Sequence, residues 1–207
     1  MTRFRSDFRM SGQLRFAGAL ALAFFLSGCV TPPGDPANVF VTPEIEGAYI
    51  PLEATTFPFT RHFAAGMAIA PGVAVTNAHN SNLLDPKSVI ARVTGYDLLF
   101  FRTQRAAITA TAQPQMNEEV IAYGQSERDG LRMSHGMIRQ FWPAAFGYES
   151  DAGPGFSGGP VVDAQTGALL GITYGYLDRD GHRLMLAYTI AFVAQEWAKV
   201  QASAAAR

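Results

Sequence analysis

Residues 153–160 read GPGFSGGP, one serine enclosed by four glycines and two prolines. Glycine takes positive φ at no steric cost and lets other atoms approach the main chain, so such a cluster marks a loop whose backbone is itself used. The plain alternative is a surface turn. The rest of the chain has to decide between the two.

Outward from that loop, the composition is that of an ordinary globular protein: 207 residues, 48% hydrophobic and 16% charged, enough for one domain or two small lobes with proper cores. Twenty glycines and 12 prolines stand among short apolar runs rich in Val, Ile, Phe and Tyr, which favours a mostly β architecture with many turns. The formal charge of −1 hides a division. Arg3, Arg5, Arg9 and Arg15 face only Asp7 in the first 29 residues, leaving 12 basic and 16 acidic residues in a mildly acidic body. That body offers no basic surface for nucleic acid. No His/Cys/Asp cluster has metal-ligand spacing, and no cofactor is implied.

Residues 1–16 are polar and basic, residues 17–26 (AGALALAFFL) are apolar, and LSGC follows at 26–29, the order of a secretory signal. The apolar run is too short for an ordinary membrane span of about 20 residues. Leu26-Ser27-Gly28-Cys29 resembles the bacterial lipobox, which implies a signal peptide over 1–28 and a diacylglycerol on the sulfur of Cys29, the only cysteine. The alternative is a signal peptide that happens to contain one cysteine. With a lipidated Cys29 the body has no thiol for a disulfide, although it folds in an oxidising compartment. Residues 29–45, rich in Pro, Asp, Asn and Gly, read as a tether between membrane and domain. Val30 is not the aspartate that retains some lipoproteins at the inner membrane, so the resemblance points to the outer membrane, facing the periplasm.

AAGMAIAPGVAVTNAHN (64–80) reads as a hairpin of two apolar strands joined through Pro71-Gly72. SVIARVTG and DLLFFRT supply the next strands. After a softer stretch at 106–117 come EEVIAYGQ, LRMSHGMIRQ, GPVVDAQTGALLGITYG and HRLMLAYTI, separated by turn signals. Each connection is too short for a crossover helix, so the pairing is expected to be antiparallel. AFVAQEWAKVQASAAA (191–206) is the one convincing helix, with Phe192, Val193, Trp197 and Val200 near one face.

A base that activates a serine must lie within hydrogen-bond reach and be oriented by a third group. His79 sits where the apolar strand GVAVT runs out into NAHN, a place that holds a side chain rigidly at a cleft. His182 lies in a charged turn and His62 before the first clear strand. A histidine at a strand end is by itself more often structural. Asp97 opens DLLFF, and a carboxylate among large apolar residues is costly to bury unless paired; an ordinary turn aspartate is the alternative. Around Ser157, backbone N–H groups of Gly155 and Ser157 could converge on an oxyanion.

Taken together, VTNAHN, YDLLFFR and GFSGGPVV, in the order His, Asp, Ser, resemble the chymotrypsin/trypsin-like serine peptidases, in particular the bacterial trypsin-like and periplasmic heat-stress protease domains. The resemblance covers roughly residues 60–190. It implies an all-β fold of two antiparallel barrels (about 46–110 and 111–190) with a C-terminal helix, and a protein or peptide substrate. It implies His79 as general base, Asp97 as its orienting acid, Ser157 as nucleophile, and the N–H groups of Gly155 and Ser157 as the oxyanion hole. GITYGY resembles the substrate-pairing edge, with Thr173, Tyr174 and Gly175 hydrogen-bonding an extended peptide. Asp151 would lie at the floor of the primary pocket, favouring Lys or Arg, if the loop kept the trypsin length; Pro154 suggests the periplasmic loop style, and a solvent-exposed Asp151 is the plainer reading.

Departures from the family pattern are specific. Asn80 stands where secreted animal members have a disulfide cysteine, and Phe156 where they place the aspartate that captures a newly cut N-terminus. Only 17 residues separate His79 from Asp97, a short spacing for the family that implies a trimmed first barrel. Gly155-Phe156-Ser157-Gly158-Gly159 also matches G-x-S-x-G, but the esterase fold behind that motif needs a helix after the serine and a histidine far downstream. A trypsin-like fold kept as a binding module is the other rival.

Overall fold

Strand patterning along this chain follows from which faces each strand buries, and the clearest instance is DLLFF. In the computed structural model, which describes residues 41–56, 60–126, 130–179 and 182–206, Leu98 to Phe101 are all buried. Successive side chains of a strand point to opposite faces. Leu98 and Phe100 accordingly enter the principal core, and Leu99 and Phe101 a smaller one with Leu52, Ala64 and Ala74. A strand buried on both faces reads as an unbroken apolar run.

The described chain opens with a short helix, α1 (Pro43–Ala48). Its first lobe is a five-stranded antiparallel sheet made of β1 (Tyr49–Thr56), β2 (Thr60–Ala70), β3 (Val73–Thr76), β4 (Val89–Arg92) and β5 (Leu99–Arg102), in the order β1-β2-β3-β5-β4. Pro71-Gly72 makes the expected turn between β2 and β3, with Gly72 at φ 75°. Sequence patterning missed β1, because Pro51 and Glu53 interrupt it; both are tolerated because β1 is an edge strand, paired only with β2. It also misplaced His62, which lies inside β2.

A second lobe closes into a six-stranded antiparallel barrel from β6 (Glu119–Ser126), β7 (Gly130–Trp142), β8 (Ala145–Ser150), β9 (Pro160–Asp163), β10 (Leu169–Arg179) and β11 (His182–Thr189), ordered β10-β11-β8-β7-β6-β9. The Pro143-Ala144 turn before β8 escaped the sequence reading. His182 opens β11 instead of lying in a turn. The all-β, trypsin-like fold class therefore holds, with the shortened first lobe as a five-stranded sheet.

The C-terminal helix α2 (Ile190–Ala205) is capped by Thr189, whose hydroxyl oxygen accepts the Phe192 N–H at 3.2 Å. Its Val193 is fully buried, and Trp197 packs on Phe100 of β5 at 5.2 Å between ring centroids, so a helix that follows the second lobe leans on a strand of the first. The principal core is shared, with Val75 and Phe100 from one lobe and Ile121, Tyr188 and Val193 from the other side.

The expected tether lies largely outside the described residues, as does Cys29, but its last residues belong to the fold. Thr42-Pro43-Glu44 is a helix start, with the Thr42 hydroxyl oxygen accepting the Ile45 N–H and proline at the first helical position. Ile45 is buried in the principal core. Glu44 Oε1 accepts the Thr109 N–H (2.6 Å), the Thr109 hydroxyl (2.8 Å) and the Ala110 N–H (3.1 Å), fixing α1 to the connection between lobes. The Thr109 and Ala110 backbone donors favour the charged form and hold the carboxyl below its ordinary pKa of 4.5. A carboxylate with a lowered folded pKa stabilises the fold above its unfolded pKa, and that contribution is lost as pH falls through the folded value. Glu44→Gln is therefore expected to lower the urea midpoint at about pH 7 and to converge with the wild type in acid. A constant difference between the two proteins across that range would contradict the assignment.

Candidate active site

The glycines around Ser157 build two consecutive turns. The Phe156 N–H donates to the Gly153 carbonyl at 3.0 Å, with Pro154 second in the turn and Gly155 third at φ 94°. The Gly159 N–H donates to the Phe156 carbonyl at 2.9 Å, with Gly158 third at φ 79°. Positive φ at the third position defines the type II turn and selects glycine. Space selects it as well: a Cβ on Gly155 would run into the Gln125 carbonyl oxygen, and one on Gly158 into the Ala65 carbonyl oxygen and Thr76 Oγ1.

Both lobes hold this loop. From the barrel, Gln125 donates its N–H to the Gly155 carbonyl (3.0 Å), and Thr173 accepts the Gly158 N–H (2.8 Å) while donating its own N–H to the Gly159 carbonyl (2.9 Å). From the first lobe, the Ala65 N–H reaches the Ser157 carbonyl at 2.9 Å and Asn80 Nδ2 reaches it at 3.3 Å. Phe156 is fully buried in the barrel core, against the face left open by Gly124. The N–H groups of Phe156, Gly158 and Gly159 are thus engaged, whereas among the described residues those of Gly155 and Ser157 donate to no protein acceptor.

His79 stands at the exit of β3. Asn77 is extended (φ −80°, ψ 150°), and a 3-10 turn from Ala78 to Leu83 follows. His79 Nδ1 lies 2.5 Å from Asp97 Oδ2, and the His79 main-chain N–H donates to Asp97 Oδ1 at 3.0 Å. Because a carboxylate only accepts, Nδ1 is the donor in this contact, and in the neutral imidazole Nε2 is then the acceptor nitrogen. The two side chains are 50% and 33% exposed, so burial does not hold the pair.

The backbone of Asp97 is itself held on both sides of its Cα. Its N–H donates to Tyr188 Oη at 3.1 Å, and its carbonyl accepts Asn77 Nδ2 at 3.1 Å. Asn77 is fully buried and its Oδ1 has no partner. Burial of Tyr188 raises its phenol above the ordinary 10, so the hydroxyl stays neutral. Sequence reasoning missed both residues. Asn77 at least stood in VTNAHN, whereas Tyr188 is 91 residues from Asp97 in the chain and carried no signal.

Asn80, the next residue after His79, links Thr76 Oγ1 (3.0 Å) and the Ser157 carbonyl (3.3 Å). No hydrogen bond joins the Ser157 hydroxyl to His79 among the described residues; such bonds are often long in free enzymes and tighten with substrate. On β10, both main-chain groups of Thr173 are engaged with the serine loop. A bulge lies between the Thr173↔Ala187 and Gly175↔Leu186 pairs, at Tyr174. The pairing of β9 with β10 ends at Ile172, so from Tyr174 onward β10 pairs, among the described residues, only with β11. Asp151 is exposed at the start of the loop. Among the described residues no cluster of His, Cys, Asp or Glu could hold a metal. Strand β9, not a helix, follows the serine, which removes the esterase reading.

Residues 64–172 match the family model described as the trypsin-like peptidase domain. No curated protein matches the sequence significantly. The active form of the Rv3671c protease from M. tuberculosis superposes with a TM-score of 0.63 at 18% identity, over 81% of this chain and 88% of that one. The serine endoprotease from Yersinia pestis superposes at 0.63 and 16% identity, over 79% and 68%. The HtrA-type protease AlgW, solved with a tripeptide, gives 0.58 and 17%, over 72% and 58%. At these identities the likeness to solved structures is one of fold.

Gly158→Ala is expected to destabilise the protein by about 2 kcal/mol or more, since a non-glycine residue at positive φ is strained and its methyl meets two fixed oxygens. Urea denaturation measures this, and an unchanged midpoint would mean that the loop does not pack as described.

Proposed function

The chain belongs to the trypsin-like peptidase domain family, and from that premise we propose that it is a serine endopeptidase working through His79, Asp97 and Ser157. The observation that carries this reading is the two-point His79–Asp97 pairing, together with a serine loop in which, among the described residues, the N–H groups of Gly155 and Ser157 donate to no protein acceptor. In the proposed reaction Nε2 takes the Ser157 hydroxyl proton as Oγ attacks the substrate carbonyl. Asp97 stabilises the imidazolium that forms, and the N–H groups of Gly155 and Ser157 receive the oxyanion. The imidazolium returns its proton to the leaving amine. Water, activated by the same base, then releases the acyl group from Ser157.

An extended peptide fits the edge of β10 at Tyr174 and Gly175 as an added strand. A Cβ at Gly175 would have no atom within 4 Å, so that stretch is uncrowded. Asp151, being exposed, is read as a surface residue outside the primary pocket. Cys29 is proposed to carry the lipid that anchors the enzyme to the bacterial envelope, on the strength of LSGC at the exit of an apolar run.

Labelling of the detergent-solubilised full chain by a fluorophosphonate probe tests the chemistry. Labelling should vanish in Ser157→Ala and fall about 1,000-fold or more in His79→Ala; labelling retained by Ser157→Ala would sink the assignment. For the anchor, Cys29→Ala should move the protein from the membrane to the soluble fraction, and a variant still in the membrane fraction would exclude lipidation at Cys29.

A further inference from the structure

We propose that Asn77 and Tyr188 are positioning residues that aim the Asp97 carboxylate at His79 by holding the two peptide groups that flank the Asp97 Cα. The proposal rests on the endopeptidase reading for its kinetic consequences, but its geometry stands apart. With His79 and Asp97 half and one-third exposed, water competes for both and no packed wall fixes the carboxylate. A carboxylate that turns about its side-chain torsions breaks one of its two bonds to His79, and the imidazole is then free to change tautomer. Fixing the backbone on either side of the aspartate sets the position and direction from which its short side chain reaches His79, without burying a charge.

The two clamp residues come from different parts of the molecule. Asn77 leads into the 3-10 turn that carries His79, so the same few residues hold both members of the pair. Tyr188 belongs to β11 of the barrel, and its ring stacks on Tyr174 at 4.1 Å between centroids, with an interplanar angle of 18°. Tyr174 follows Thr173, whose peptide groups hold Gly158 and Gly159. The hydrogen bond from the Asp97 N–H to Tyr188 Oη therefore sets the first-lobe acid against the barrel element that positions the nucleophile. Asn77 supports the proposal in a second way. Its fully buried Oδ1 has no partner, an arrangement that costs stability and that an apolar residue of the same shape would avoid.

The test pairs Tyr188→Phe and Asn77→Leu, each alone and in an Asp97→Asn background. Fluorophosphonate labelling rate, thermal midpoint, and the proton resonance of His79 Nδ1–H are the readouts. Tyr188→Phe keeps the stacked ring and removes only the hydroxyl. It should slow labelling about five- to tenfold with an unchanged midpoint, and shift or broaden the His79 resonance. Asn77→Leu should slow labelling comparably while keeping or raising the midpoint. Neither substitution should slow labelling further once Asp97 is Asn, because groups that act through one residue are not additive. Wild-type rates with an unchanged resonance, or the same loss in both backgrounds, would overturn the clamp. Should Ser157-dependent labelling be absent from the wild type, the endopeptidase reading fails and the His79 resonance alone decides the clamp. Should Asn77→Leu not fold, Tyr188→Phe decides it.

Discussion

The carbonyl of Ser157 is the point on which the arrangement of the site depends. It accepts the Ala65 N–H from β2 and Asn80 Nδ2 from the turn that bears His79, so the serine loop of the barrel is pinned by the first lobe at the residue that matters. Side chains around that point would push the lobes apart. This is why Gly158 faces Ala65 and Thr76 without a Cβ, and why the loop around the serine turns twice through positive φ. The glycine cluster is thus the requirement of a backbone that must touch two lobes and still leave two N–H groups undonated.

The same constraint decides how the His79–Asp97 pair is held. Burying an ion pair carries a large desolvation cost, repaid only by good geometry and further hydrogen bonds. Here the pair stays partly exposed and is held by hydrogen bonds, two between the partners and two on the backbone either side of the Asp97 Cα. The two side chains that reach the Asp97 backbone, Asn77 and Tyr188, are themselves buried. The unpaired Asn77 Oδ1 marks where local stability is given up for that geometry.

Much of this was legible in the sequence, and the exceptions have definite causes. His79, Asp97 and Ser157 each lie in a short motif whose local chemistry is visible, and the apolar runs of β3, β5, β6 and β11 announce themselves. Strand β1 was hidden because edge position licenses a proline and a charge that central strands exclude. The start of α1 reads as tether because Thr-Pro-Glu is equally linker composition and helix capping, and it is the contact of Glu44 with Thr109 and Ala110 that separates the two. Tyr188 was invisible because its meaning lies in a partner 91 residues away. Local chemistry shows in local sequence, while the residues that aim it are assembled by topology.

Phe156 shows what the absence of a charged latch demands. A loop fixed by a buried carboxylate needs a cation delivered to it, since an unpaired buried charge is far more costly than any gain from ordering the loop. A fully buried phenylalanine needs only a cavity of the right shape, and Gly124 of β6 supplies one by presenting no side chain to the ring. Burying such a ring is worth about 1.5–3 kcal/mol, and the contribution is present as soon as the barrel closes. With its single cysteine at residue 29, the chain cannot crosslink its lobes by an internal disulfide. Instead, the lobes are joined by the packing of Trp197 on Phe100, the shared core, and the loop that Phe156 plugs into place. The same apolar packing that holds the fold together therefore also holds the serine loop in place.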